Sequence, residues 1–270
     1  MRSATSDTKR TDAGSGGRVS KVPMITETEG IVIRQIKTAY GRRMIVLLTK
    51  KYGRISAGTS ITEGGKNKTA LALRPFTRGR YELFKGRDSY SINGAETIES
   101  YYSIGEDIDK YSCAAGALEL TDRMLEDEQQ SPGMYNLLSE YLSMLEKRKS
   151  DFGTLFLAFR IKALELFGSG INVKACAKCG KTDGLTRISI PDGGVICSDC
   201  AGPSADLNPL IFEAGDDIIK IIDFIQAHPL RALEKLSVPD PLKNRITKIV
   251  KAHYSYHLGI EGLKSESLIL

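Results

Sequence analysis

No stretch of this sequence stays apolar for anything near the ~20 residues that a membrane-spanning helix requires, so the expectation is a soluble chain without a membrane partner. The first 20 residues lack the apolar segment of a secretory signal. Rich in Ser, Thr and Gly and without an aromatic ring, residues 1–20 are expected to form a disordered tail outside the fold. Catalytic signatures are missing as well. There is no phosphate-binding loop, nucleophile elbow or dinucleotide fingerprint, no His-x-Glu of a deaminase, and no convincing pair of acids. The chain has 3 histidines. His253 and His257 stand four apart on a helical stretch but lack a third ligand, so packing or surface roles are expected for them, and a helix-end role for His228 before Pro229. These absences point away from an enzyme and towards binding.

The chain has 270 residues, 41% hydrophobic and 26% charged, which suits two domains or one domain with a compact insert. Its net charge of +5 is unevenly spread. Between Lys21 and Gly105 there are 15 Lys and Arg against 7 Asp and Glu, whereas residues 106–270 carry 19 against 24. A polyanion is therefore expected to bind the front half.

That front half reads as short strands separated by turn residues: Ile31–Lys37, Met44–Lys50, Arg54–Ser60, Arg80–Lys85 and Ser89–Ser100, with one long connection, 61–79, between the third and fourth. Five strands with a long third connection match an OB-fold, a small barrel that often binds single-stranded nucleic acid. From Glu106 the period becomes helical. Ile108, Tyr111, Ala115 and Leu118 are expected inward on one helix, and Tyr135, Leu138, Leu142 and Leu145 on the next, which opens at Ser131-Pro132. A third helix should bury Phe152, Leu155, Phe156, Phe159, Ala163 and Leu166 and end at Gly168 or Gly170. Asp216–Gln226 should turn Ile218, Ile221, Ile222 and Ile225 inward. A last helix, Asp240–His257, should turn Lys243, Arg245, Lys248 and Lys251 largely outward. The fold class is thus α+β, with domains at 21–105 (barrel), 106–170 and 205–270 (helical), and an insert at 171–204.

Four of the 5 cysteines define that insert. Cys176-Ala-Lys-Cys179-Gly and Cys197-Ser-Asp-Cys200 are two Cys-x-x-Cys knuckles flanking a strand, the turn Pro191-Asp-Gly-Gly194, and a second strand. That spacing is the pattern of a four-cysteine zinc ribbon in a reducing cytosol. A closed four-sulfur shell has no open position for substrate or water, which makes structural Zn2+ the preferred reading, with redox dithiols or catalytic zinc as the alternatives. Cys113 is expected to be a small core residue.

Two clusters carry the basic excess. Lys66, Lys68, Arg74, Arg78 and Arg80 surround Phe76 in the long connection and its exit, and Arg34, Lys37, Tyr40, Arg42 and Arg43 lie at the first hairpin. Cations neutralise phosphates and an exposed ring can stack on an unpaired base, so these eleven residues are the expected DNA-binding set, with Tyr40 as the favoured stacking residue and Phe76, after Pro75, open between stacking and packing against the barrel. An RNA-binding or transcription-associated protein built from the same parts is one rival reading, and a metal-dependent nucleic-acid enzyme another.

Glu29-Gly-Ile-Val-Ile-Arg34, Tyr40-Gly41, Leu47-Leu-Thr-Lys-Lys-Tyr-Gly-Arg-Ile55 and Leu73-Arg-Pro-Phe76, followed by a helical region carrying four cysteines, resemble the RecO family over most of residues 24–260. The resemblance implies an OB-fold and a helical domain, binding to single- and double-stranded DNA, and annealing of complementary strands. It also implies partnership with RecR and with the acidic C-terminal tail of single-strand-binding protein, promotion of RecA loading, and a cytoplasmic, nucleoid-associated location.

Overall fold

A computed structural model describes residues 24–37, 43–61, 68–87, 89–203 and 205–265, the side chains of Lys68 and Asp206 excepted. Five strands, β1 (Met24–Lys37), β2 (Arg43–Thr49), β3 (Gly53–Thr59), β4 (Arg78–Lys85) and β5 (Tyr90–Glu99), form a closed barrel in the order β1-β2-β3-β5-β4. Closure depends on the length of β1. Its first half pairs with β4 (Met24↔Lys85 to Ile31↔Arg78) and its second half with β2, the strand shifting register between Val32 and Arg34. The ring is completed by a short parallel contact, Ala57↔Tyr90 and Gly58↔Ser91.

Alternation fills the interior. β3 reads buried and half-buried in turn, and Val32, Ile45, Leu47, Ile55, Tyr81 and Leu83 make one core. The long connection is not structureless: α1 (Lys68–Ala72) lies across one barrel end, where the Tyr81 hydroxyl donates to Ala72 O at 2.7 Å. β2 is buried on both faces, because Val46 and Leu48 leave the barrel interior to join Ile31 and Ile33 in the core of the helical body.

That body contains α2 (Ile108–Met124), α3 (Pro132–Lys147), α4 (Phe152–Leu166), a one-turn α5 (Ser198–Ala201), α6 (Asp216–Ala227) and α7 (Asp240–Leu258). Ser131 caps α3 as its sequence suggests, and α4, in contact with α2, α3, α6 and α7, is its centre. Gly168 follows the end of α4, with the Ser169 amide bonded back to Leu164 O at 2.9 Å. Three expected faces are corrected. α2 buries Cys113, Ala114, Ala117, Leu118 and Leu120, while Ile108 is 66% exposed and Tyr111 40%. α2 packs through small residues because Phe156 of α4 lies where a side chain at Gly116 would be, an effect that hydrophobic periodicity does not register. Leu166 is exposed at the end of α4, and Lys243 is half-buried between Asp151 and Asp240 (2.8 and 2.7 Å). Among the described residues no helix is long and apolar enough to cross a membrane.

The cysteine segment forms the hairpin β6 (Leu185–Ser189) and β7 (Gly194–Cys197), to which β8 (Ile211–Glu213) adds a third strand. Ile188, Ile190 and Val195 belong to the same core as the helices, and His257 Nε2 of α7 is 2.8 Å from Ile190 O.

The barrel is fixed to the helices by the turn after α2. Residues 125–130 run along β3, with Arg54 bridging Asp127 and the Glu128 amide bonded to Arg54 O at 2.7 Å. Gly53 permits the approach: its φ is +67°, and a Cβ there would stand 1.9 Å from Gln129 O.

Candidate nucleic-acid interface and metal centre

The sulfurs of Cys176, Cys179, Cys197 and Cys200 all lie within 4.8 Å of one another. The first knuckle closes through the Gly180 amide on Cys176 O (2.9 Å), with Gly180 at φ +77°, and the second is the turn of α5, which brings Cys200 back beside Cys197. Close approach splits the thiols. Desolvation opposes ionisation of Cys176, but amides of Cys197, Cys179 and Lys178 directed at its sulfur win and bring it down to about 6. Cys200, sharing protons with Cys179 and Cys197, is pushed up to about 12. Four sulfurs in this space cannot all ionise unaided, and a soft divalent cation at their centre removes the conflict. The site can therefore hold a metal ion with a closed four-sulfur shell. Around it the cations are neutralised: Lys178 by Asp192 (3.5 Å), Lys181 by Asp199 (2.8 Å), and Lys174 by Asp223.

The barrel cations divide into three groups. Tyr40, Arg42 and Lys66 lie outside the described residues, as does the side chain of Lys68. A second group is engaged. Arg34 faces Asp122 at 3.3 Å, Arg78 contacts Glu99 and Glu29 (3.1 and 3.5 Å), and Arg80 contacts Glu27 and Glu96 (3.1 and 3.3 Å). Within this group two expectations are corrected. Arg43 is buried, with its guanidinium on Ile61 O, and Phe76 is 8% exposed, its ring edge-on to Tyr111 at 5.5 Å, so neither presents its side chain to a ligand. The third group is exposed and has no acidic partner among the described residues: Lys37, Arg74 and Arg87, and in the β2–β3 turn Lys51, whose ammonium donates to the Thr26 hydroxyl at 3.1 Å.

Sequence reasoning missed Arg87. The available signal was its place in the β4–β5 turn, which in this barrel type flanks the ligand face of β2 and β3. It also missed Arg54, whose guanidinium joins Asp122 (2.6 Å) and Asp127 and ties barrel to helices. Because Val46 and Leu48 are covered by the helical body, the open part of the β2–β3 face is reduced to the strip at Met44, Ser56 and Gly58.

The helical body holds a second cationic concavity, a cleft of about 630 Å³ between α4 and α7. Lys149, Lys243, Lys251 and Arg160 line it together with Cys113, Phe152, Phe156 and Leu157. Burial works against ionisation of Asp151 at its edge, but Lys243, Ser237 and Thr154 overcome it and hold the carboxyl below its usual range. Burial pushes the Cys113 thiol up to about 12, which suits an inert packing residue.

Comparison with known proteins adds to this geometry. The family model for the N-terminal part of recombination protein O matches residues 24–101, and that for its C-terminal part matches residues 105–267. The DNA repair protein RecO of Alkaliphilus metalliredigens is 30% identical over 236 residues, covering 87% of this chain and 94% of that protein. The RecO proteins of a Thermoanaerobacter species and of Listeria monocytogenes are 28% and 26% identical over 91% and 89% of this chain, covering 97% and 92% of their own lengths. A closed five-stranded barrel, a helical body and a four-cysteine module thus coincide with a match running from Met24 almost to the end, and the chain belongs to the RecO family of DNA repair proteins.

Proposed function

We propose that this chain is a non-enzymatic, DNA-binding mediator of recombinational repair. The barrel binds single- and double-stranded DNA, the protein anneals complementary strands, and with RecR and single-strand-binding protein it promotes RecA loading in the cytoplasm, on the nucleoid. The observation that carries this reading is the distribution of uncompensated charge. Lys37, Arg74 and Arg87 on the barrel are exposed without acidic partners among the described residues, whereas the lysines around the cysteines are each matched to a carboxylate. Annealing needs no reacting group. A cationic surface that holds two polyanions reduces their repulsion and releases counterions while the bases stay free to pair.

In this reading the metal is zinc and its role is structural, because four thiolates leave no coordination position for water. The cleft between α4 and α7 receives the acidic C-terminal tail of single-strand-binding protein. Lys149 and Lys251 match its carboxylates, and Phe152, Phe156 and Leu157 take an apolar end residue. The experiment is strand annealing with bare DNA and with DNA coated by single-strand-binding protein, comparing wild type with Lys37→Glu/Arg74→Glu/Arg87→Glu. The triple variant is expected to lose annealing on both substrates. Wild-type annealing by that variant would remove the barrel from the mechanism, and tighter binding to matched RNA than to DNA would favour an RNA-binding protein instead.

A further inference from the structure

Where the barrel meets the helices there is a cleft of about 910 Å³, a volume typical of small-ligand sites. Its floor is Phe76 and Tyr101, both buried, and its rim carries Tyr102 at 67% exposure, Tyr111 at 40% and Leu71 at 44%. Such a concentration of exposed rings in a concave surface is unlike an ordinary solvated face.

The backbone beneath is unusual too. Among the described residues four non-glycines have positive φ, and two of them are this floor: Phe76 at +69° and Tyr101 at +44°. A bulky aromatic residue in the left-handed region is strained, and such residues gather where a site is held in a fixed shape. Both are pinned. The Phe76 amide donates to Val32 O at 3.2 Å, and the Tyr101 hydroxyl donates to Glu99 at 2.5 Å. The strain sets Phe76 edge-on against Tyr111, which fixes the tilt of the Tyr111 ring at the mouth.

We propose that this cleft is a nucleobase site for single-stranded DNA, in which Tyr102 and Tyr111 stack on an unpaired base while Arg74 takes its phosphate. The proposal rests on the DNA-binding reading above and extends it to a place on the molecule. Two observations favour a nucleotide over a purely apolar occupant. Arg74 lies on the rim with no acidic partner among the described residues, and Glu106 offers a carboxylate to the exocyclic amine of a base. The second carboxylate of the rim, Glu96, is already engaged by Arg80 at 3.3 Å. Continuity with the barrel supports the same occupant. Gln35 Nε2 donates to Leu73 O, which fixes the end of β1 beside the segment carrying Arg74, and Lys37 stands on the same side of that strand as Gln35. Two of these uncompensated barrel cations, Lys37 and Arg74, therefore lead to the cleft. Paired bases in a duplex cannot enter it, so the site discriminates by strandedness.

The test uses the full chain with three probes: an oligodeoxycytidylate, a single strand carrying a fluorescent adenine analogue quenched by stacking, and a blunt duplex. Tyr102→Ala is expected to weaken single-strand binding about five- to a hundredfold, the range for losing one base–aromatic stack. It should also abolish the quenching, leave the salt dependence and the duplex affinity unchanged, and be rescued by Tyr102→Phe. Tyr111→Ala should act alike; because it also removes the contact with Phe76, Tyr102→Ala decides if that variant fails to fold. Wild-type single-strand affinity and quenching in Tyr102→Ala overturn the proposal, and so does an equal loss on duplex DNA. Lys37→Glu/Arg87→Glu separates the two readings. If it loses DNA while Tyr102→Ala does not, only the cleft is wrong; if neither loses DNA, the DNA-binding reading falls as well.

Discussion

The barrel and the cysteine module are both small β units set against the same helices, yet they are held together by opposite means. The barrel closes its hydrogen-bonded ring and fills it with Val32, Ile45, Leu47, Ile55, Tyr81 and Leu83. The module has three strands and a local core of Cys176, Ile196 and Cys197 with partly buried neighbours, too small to repay the entropy of ordering its loops. Surface charge is opposite as well. Lys174, Lys178 and Lys181 of the module face carboxylates, while the barrel exposes Lys37, Arg74 and Arg87 without them. A unit that is self-sufficient inside leaves its surface charge open to a ligand, whereas the module, whose four sulfurs can hold a central ion, uses its surface charge to steady itself.

Removing the metal is the severest way to break this comparison. Structural zinc contributes on the order of 10 kcal/mol in small modules, so chelation or Cys197→Ser should unfold β6 and β7. Because Ile188, Ile190 and Val195 are packed among the helices, the melting temperature of the whole protein should fall. Hydrogen exchange should show β6 and β7 losing protection while the interior strand positions Ile45 and Leu47 keep most of theirs. Equal loss in both would erase the distinction.

Acid probes the module side next. Burial and the neighbouring His257 push His253 down to about 4. The unfolded chain, titrating near 6.5, therefore binds the proton first as pH falls, and stability is lost from about pH 6.5 until pH 4, where the folded form also protonates. The loss amounts to up to about 3 kcal/mol. Denaturant titrations at pH 7 and pH 4 should show that drop reduced in His253→Gln, in which the shared carboxylate contribution is unchanged. The barrel strands contain no histidine, so their local exchange should not carry this dependence.

A smaller effect tests the junction. Asp122 accepts from Arg54 at 2.6 Å and is ion-paired with Arg34 at 3.3 Å, and its side chain is only 12% exposed. Asp122→Ala should cost about 2 kcal/mol in urea unfolding, the scale of a charged hydrogen bond. It should also tighten DNA binding, because Arg34 is released towards phosphate. Lower stability with weaker DNA binding would mean that Arg34 serves only the junction.

The sequence made β2 to β5, the cysteine knuckles and the faces of α3 and α6 legible, because period, turn chemistry and cysteine spacing are local signals, but it showed only the second half of β1 and missed Met24–Gly30, which pairs with β4 and closes the barrel. It misled where partners decide. Ile108 and Tyr111 look inward by period, but α2 packs closely through Gly116 and its alanines, and this is set by Phe156 forty residues away. Phe76 could stack or pack by sequence alone, and it is the strained floor of a cleft, because α2 supplies a ring to pack it. Most of all, charge along the chain does not reveal pairing across it. Arg78 and Arg80 are as basic as Arg74 in sequence, yet neighbouring strands place Glu29, Glu99, Glu27 and Glu96 against them.

That difference in pairing gives the finest test. Neutral replacement of one phosphate-binding cation should lower the slope of log affinity against log salt by about 0.7 for single strands, whatever the sequence bound. For Lys37→Gln/Arg74→Gln/Arg87→Gln the expected fall is therefore about 2. Lys174→Gln/Lys178→Gln/Lys181→Gln removes the same formal charge from the module but leaves the slope unchanged, since those ammonium groups are already held by Asp223, Asp192 and Asp199 and neutralise no phosphate. The carboxylates exposed by the second set repel DNA only within the Debye length, about 8 Å at physiological ionic strength. Over the physiological salt range they therefore leave the slope unchanged, while the loss from the barrel set appears as a change of slope. Equal slopes for the two triple variants would mean that pairing in the folded chain does not decide which cations meet DNA, and the contrast between barrel and module would have to rest on the metal alone.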